Sequence, residues 1–269
     1  MPEIQEPLAG GNAAGEVLRI GMTVRKPWLE STPSVQRFMA HLREQGLTDV
    51  PLPLGKDAQG RQVTEFAPGT PAPHDRPLPL EVLEEVGRRI RRIHDTAESF
   101  ERNPDDSWST VIPVPHANLI CHNDLAPWNL VAGERLAFID WDGAGPSTRL
   151  WDLAYAAQSF AFLVAGEDPG RAAARLRVLV LDGYRADADL RARLPGALGE
   201  RTMAMYDFLH EAHRRDIRPW AGMFVDGHGR HWAGAARFVR ENEPLWASTL
   251  GGNGAGQRPR TTAPGRQVP

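Results

Sequence analysis

The chain has 269 residues, 41% of them hydrophobic and 24% charged, and its 31 Lys and Arg against 34 Asp and Glu leave a formal charge of −3. That balance excludes a protein that holds nucleic acid through bulk positive charge, and the composition suits a globular chain with a full core. Cys121 is the one cysteine, so no internal disulfide can form, and no apolar run approaches the roughly 20 residues that a membrane span needs.

Residues 1–15 lack the basic start and apolar stretch of a signal peptide, so the expected location is the cytoplasm. Within them lies the glycine-rich stretch from Leu8 to Gly15. Two short β-prone runs, 16–20 and 22–26, flank Gly21 and predict a hairpin. The second run ends in Arg25 and Lys26, and Lys26 is one of only two lysines among the 31 basic residues, the other being Lys56. Val35, Phe38, Met39 and Leu42 recur at helical spacing over 33–45, and Gly46 stops that helix. Strands are expected at 50–54 and 62–66, around a turn at 56–60. The stretch 67–73 is too rich in proline and glycine for either regular structure and reads as a boundary.

Beyond it, Val82, Leu83, Val86, Ile90 and Ile93 mark one face of a helix over 80–100. An apolar run at 118–121, a loop at 122–129, and strands at 130–132 and 136–140 follow. Helices are expected at 148–164, 171–184, 200–215 and 229–248. Residues 251–269 hold almost nothing that could be buried and read as a disordered tail.

The 122–129 loop carries the chemistry. It contains His122, Asp124 and Asn129 in the pattern H-x-D-x-x-x-x-N, the spacing of a kinase catalytic loop. In such a loop the aspartate accepts the proton of the acceptor hydroxyl, and the asparagine five residues on holds magnesium. A carboxylate is needed to face the hydroxyl, whereas an amide oxygen binds a hard cation without adding a full charge. Eleven residues after Asn129 comes Asp140, at the end of an apolar strand, followed by Trp141 and Asp142. Magnesium takes oxygen ligands, commonly one or two carboxylates together with phosphate oxygens.

These motifs resemble the aminoglycoside phosphotransferase family, small-molecule relatives of protein kinases with choline and homoserine kinases as neighbours. The likeness rests on the loop, on Ile139-Asp140-Trp141 and on Asp152-Leu153-Ala154, and its specific motifs run from about Gly10 to Ala157. Neither D-F-G nor A-P-E occurs after Asn129, so a protein substrate is not expected.

The resemblance implies an α+β, two-lobed, protein-kinase-like fold. A small antiparallel-sheet lobe with one helix would span 1–69, a larger, mostly helical lobe 70–249, and the tail 250–269. It further implies an ATP- and magnesium-dependent transfer of the γ-phosphate to a hydroxyl of a small molecule, an aminoglycoside-like antibiotic or a metabolite, with no nucleic-acid or membrane partner. Asp124 would be the base and His122 the residue bracing its loop. Asn129 and Asp140 would hold the metal, with Asp142 near enough to join them, and Asp152 would fix the loop from below.

A cation on the second N-terminal strand would meet the phosphates. Strand alternation admits only one of Arg25 and Lys26 to the cleft, and Lys26 is preferred because Val24 shares its face. Gly10 and Gly11 would begin a phosphate-covering loop. Residues 63–69 would form the hinge, with the Glu65 carbonyl and the Ala67 N–H pairing with adenine.

One departure stands out. The helix glutamate that orients the lysine in kinase-like folds aligns with Val35, beside Gln36, while Glu30 and Glu44 lie near the ends of the helix. This raises the alternative of a kinase-fold binding or toxin-immunity protein with little turnover. A metal-dependent hydrolase using Asp124 and Asp140 is a third reading. His210, His213, His228 and His231 lack the spacing of a zinc site. Asp207, Glu211 and Asp216 could face a cationic substrate or simply be solvated.

Overall fold

The computed structural model describes residues 5–8 and 15–251. Strands β1 (Gln5–Pro7), β2 (Leu18–Ile20) and β3 (Thr23–Lys26) lead into helix α1 (Thr32–Glu44), after which β4 (Pro53–Lys56) and β5 (Gln62–Glu65) complete one sheet in the order β1-β2-β3-β5-β4. Every pairing in it is antiparallel, and Lys26 lies opposite Gln62 in the β3–β5 register. The expected hairpin and helix are present. The strand expected at 50–54 is displaced toward the C-terminus, because Val50 is fully buried in the core whereas residues 53–56 form the ladder with β5. Lys56 therefore ends a strand and does not open the turn; its ammonium sits 4.4 Å from the Trp28 ring centroid.

The proline- and glycine-rich stretch contains β6 (Thr70–Pro71), a short strand that was not expected. It joins β8 (Leu130–Ala132) and β9 (Leu136–Phe138) in a second sheet. Gly69, at φ 148°, makes this crossing possible: a Cβ there would stand 2.4 Å from the Ala132 carbonyl oxygen. Between β6 and β8 run α2 (Leu80–Ala97) and β7 (Leu119–Cys121), and β7 pairs with β10 (Gly145–Ser147).

The remainder is helical, with α3 (Arg149–Phe160), α4 (Pro169–Arg177), α5 (Ala188–Arg214), α6 (Trp220–Met223), α7 (Gly229–Glu241) and α8 (Glu243–Gly251). The helix start signals are explicit: Thr148, Asp168 and Asp187 each accept a backbone N–H of the first turn. Three helix expectations need correction. The 171–184 segment leaves α-geometry at Val178 for a wider turn that ends at Gly183. The 229–248 segment breaks at Asn242 into α7 and α8. Helix α5 starts twelve residues before the expected 200, running straight through Pro195. Burial of Leu190, Leu194, Ala197 and Leu198 outweighs the backbone hydrogen bond that the proline removes.

Helix α5 packs against α3, α7 and α8. One continuous core cluster extends from Val35 and Phe38 on α1, through Ile90 and Ile93 on α2, to Leu153, Leu194 and Trp246. Among the described residues no helix is long and apolar enough to cross a membrane.

Candidate active site

The loop after β7 is pinned from three sides. His122 is fully buried; its Nδ1 accepts the Asp124 N–H at 3.3 Å, so its Nε2–H is left to donate to the Ile139 carbonyl at 3.1 Å. Trp141 packs on the same imidazole, ring centroids 4.5 Å apart. His122 thus braces the loop from a fully buried position. Asn123 turns the chain through the left-handed region (φ 65°), and its amide donates to the carbonyls of Gly143 and Gly145, 3.2 Å each. The Asn123 N–H donates to Oδ1 of Asp152 at 2.8 Å. The other Asp152 oxygen meets His94 Nε2 at 2.9 Å, and His94 Nδ1 meets the Tyr184 hydroxyl at 2.9 Å. Asp152 therefore holds the loop from beneath, as expected. His94 is its buried partner, a link that the sequence did not reveal because it spans α2 and α3.

Asp124 is held at both oxygens. Oδ2 accepts from Asn129 Nδ2 at 2.7 Å, and Oδ1 accepts from the Tyr155 hydroxyl at 2.8 Å. The second Asn129 amide hydrogen goes to the Asp124 carbonyl at 2.9 Å. With both hydrogens spent, the Asn129 amide oxygen is left to accept a cation. Burial raises the Asp124 pKa and Asp140 adds to the rise, while His122, Tyr155 and Asn129 oppose it. Tyr155 was not anticipated. It stacks on Trp232, centroids 6.1 Å apart, with the Arg201 guanidinium 4.3 Å from its ring centroid.

Opposite this loop stands Lys26, whose ammonium donates to Asp140 and, at 2.9 Å, to Oδ2 of Asp142. Burial works against its charge, but the two carboxylates outweigh burial and hold its pKa above the ordinary lysine value. Chain direction explains the encounter. After β9, Asp140 adopts the left-handed conformation (φ 61°, ψ 60°), which an aspartate tolerates, and Trp141–Gly143 form a 3-10 turn beneath β3. Arg25 does not join the cluster. Alternation along β3 sends it to the opposite face, where its Nε lies 3.3 Å from Asp57.

The remaining sequence candidates are placed as follows. Gly10 and Gly11 lie outside the described residues. The Glu65 side chain turns away to Arg135, 2.7 Å, and to the Leu52 N–H, 3.0 Å, so only its backbone could serve a hinge. Ala67 is buried with Val131 and Ala137, against the partly buried Ile139 that precedes Asp140. Trp141 is core, whereas Trp128 is 41% exposed beside the loop. Asp207, Glu211 and Asp216 are exposed. His210 stacks on Tyr206 and His213 on Phe224, and neither belongs to a group that could hold a metal. The one such group among the described residues is His94, Cys121 and Asp152. It is fully buried, both His94 nitrogens and both Asp152 oxygens already have hydrogen-bond partners, and the group reads as a packed network.

With this geometry in place, comparison with known proteins defines the fold. Amicoumacin kinase, solved with AMP-PNP and Ca2+, superposes with a TM-score of 0.62 at 18% identity over 91% of this chain and 89% of its own. A choline/ethanolamine kinase family protein from Mesorhizobium loti gives 0.61 at 18% identity over 93% of both chains. The microcompartment-associated aminopropanol kinase gives 0.63 at 14% identity over 93% of this chain and 95% of its own. The fold is therefore the protein-kinase-like fold of small-molecule kinases. More particularly, residues 97–194, which carry the loop, Asp140 and Asp152, match the phosphotransferase enzyme family. No curated protein matches the chain by sequence.

Proposed function

We propose that this chain is an ATP- and magnesium-dependent phosphotransferase that moves the γ-phosphate of ATP to a hydroxyl of a small molecule in the cytoplasm. The observation that carries the reading is the meeting of Lys26 with Asp140, 114 residues apart in sequence, across from Asp124 and Asn129. In this reading residues 1–69 form the nucleotide lobe and 70–251 the acceptor lobe; the boundary expected at 249 moves because α8 runs to Gly251 with Leu250 fully buried in the core. The backbone at Glu65 and Ala67 faces adenine, with Ile139 and Val131 as an apolar floor. Lys26, not Arg25, contacts the phosphates.

The donor set fits magnesium. Asn129 presents an amide oxygen, and Asp140 has one oxygen on Lys26 and no second partner among the described residues. Both are hard oxygen ligands. Asn129 and Asp140 would hold magnesium, which would supply positive charge against that developing on the phosphates. Asp124, fixed by Asn129 and Tyr155, takes the acceptor hydroxyl's proton, and a base so placed contributes about 10²–10⁴ in rate. Transfer to a small molecule, and not to a protein, agrees with the absence of D-F-G and A-P-E after Asn129.

The test has two parts: calorimetric titration of ATP with and without magnesium, and a screen of hydroxyl-bearing antibiotics and metabolites for a phosphorylated product. Magnesium-dependent ATP uptake with a product that Asp124→Ala abolishes supports the reading. ATP uptake with no product from any acceptor favours the kinase-fold binding or immunity protein that Val35 raised. No ATP uptake at all defeats both.

A further inference from the structure

Helix α1 gives Lys26 no carboxylate. Val35, at the position of the usual glutamate, is 2% exposed in the core, and Gln36 spends its amide on the Gly55 carbonyl at 3.1 Å. Glu30 and Glu44 are exposed, and the ion pairs of Lys26 among the described residues are with Asp140 and Asp142 alone. These two acids are not equivalent. Asp142 has both oxygens engaged, Oδ2 by Lys26 and Oδ1 by Gln62 Nε2, 2.9 Å each. Gln62 is 4% exposed, lies opposite Lys26 in the ladder, and gives its other amide hydrogen to the Pro27 carbonyl at 3.2 Å. Lys26, Asp142, Gln62 and the backbone of Pro27 thus close a ring. Asp140 keeps one oxygen without a partner, and its side chain is 31% exposed against 18% for Asp142.

We propose that Asp142, held by Gln62, is the carboxylate that orients Lys26 toward the nucleotide, so that the helix glutamate's task is done from the turn after Asp140. This rests on the phosphotransferase reading and removes Asp142 from the metal ligands. The division of labour follows from the geometry. A cation at Asp140 would use its free oxygen and compete with Lys26 for that carboxylate's charge, whereas Asp142 would remain on Lys26 with its second oxygen already anchored. A lysine on four rotatable bonds is costly to order, and a carboxylate fixed to the lysine's own sheet removes most of that freedom beforehand. The turn carrying Asp142 is itself stiff: Trp141 is buried and its indole N–H donates to the Phe138 carbonyl at 2.8 Å. Asp142 and Gln62 touch neither metal nor phosphate in this scheme and are positioning residues.

The test uses the lysine count. Protein labelled with 15N-lysine gives side-chain ammonium signals from Lys26 and Lys56 only. We expect a slowly exchanging Lys26 signal with Mg·ATP bound that Asp142→Asn and Gln62→Ala both move toward the free-lysine position. In the same variants the ratio of ATP affinities with and without magnesium should stay within about twofold. Asp140→Asn should do the reverse, losing the magnesium effect while the nucleotide-free Lys26 signal persists. An Asp142→Asn protein that keeps the Lys26 signal, or loses magnesium dependence as Asp140→Asn does, overturns the assignment alone. Wild-type protein that binds no ATP overturns the phosphotransferase reading and the assignment with it. Gln62→Ala guards against a misfolded Asp142 variant, since thermal melting reports each separately.

Discussion

Tyr155 gives its hydroxyl hydrogen to Oδ1 of Asp124 at 2.8 Å, reaching it from α3, 31 residues further along the chain. Asn129 holds the other oxygen, so the carboxylate is fixed in rotation as well as position. Tyr155 is in turn wedged between Trp232 and Arg201. Burial and the charge of Asp124 both raise its pKa well above the ordinary tyrosine value, so it stays a hydrogen donor throughout the neutral range.

Replacing Tyr155 by Phe keeps the ring and its stacking but frees one carboxylate oxygen. Turnover should fall about tenfold, in line with one hydrogen bond to a charged group, while ATP affinity is unchanged. Steady-state kinetics on the acceptor found by the screen reads this directly. An unaltered kcat means that the contact does not position the base.

Asp124→Ala removes the proposed base itself. Nucleotide affinity should hold within a few-fold while turnover drops by about 10²–10⁴. Calorimetry and product formation, measured on one preparation, separate the two effects; a variant that turns over normally would eliminate Asp124 as the base.

His94→Ala should cost stability, not nucleotide binding. It leaves the Asp152 carboxylate and the Tyr184 hydroxyl without their shared partner in a fully buried site. A loss of about 3 kcal/mol is expected from an uncompensated buried charge, read from urea unfolding curves. A loss below about 1 kcal/mol would mean that the network is dispensable.

Cys121 is fully buried and its thiol pKa is pushed up by burial. Native protein should consume no thiol reagent over hours at neutral pH, and unfolded protein one equivalent. Rapid labelling of the native protein would show that the β7–β10 region opens far more readily than its packing implies.

Much of the site was legible because its residues sit close together in the chain. His122, Asp124 and Asn129 lie within one loop, and Asp140 follows a short hairpin, so spacing alone carries their relation. The preference for Lys26 over Arg25 was legible too, through strand alternation. Tyr155, Gln62 and His94 were not. Each matters through a partner on another element, and nothing in local pattern distinguishes a buried tyrosine that reaches a carboxylate from one that fills a core. The element boundaries that went astray have the same origin: a helix was expected only from 200 although α5 runs through Pro195, and 67–73 read as a boundary, until burial and a neighbouring strand outweighed local preferences.

The two lysines and the two acids of Asp140-Trp141-Asp142 divide the matter cleanly. Composition and spacing by themselves established a chain without bulk positive charge, a loop of kinase type, a cation on an N-terminal strand and two acids after a hairpin. The resemblance to kinase-like folds also implied a glutamate where the chain has Val35, without saying what replaces it. Only the folded chain decided that, because a two-residue step between the acids, through a left-handed residue and a 3-10 turn, points one carboxylate outward with a free oxygen and seats the other between Lys26 and Gln62. Sequence separation sets which residue types are available, but hydrogen bonds between distant elements set which oxygen each of them can still offer.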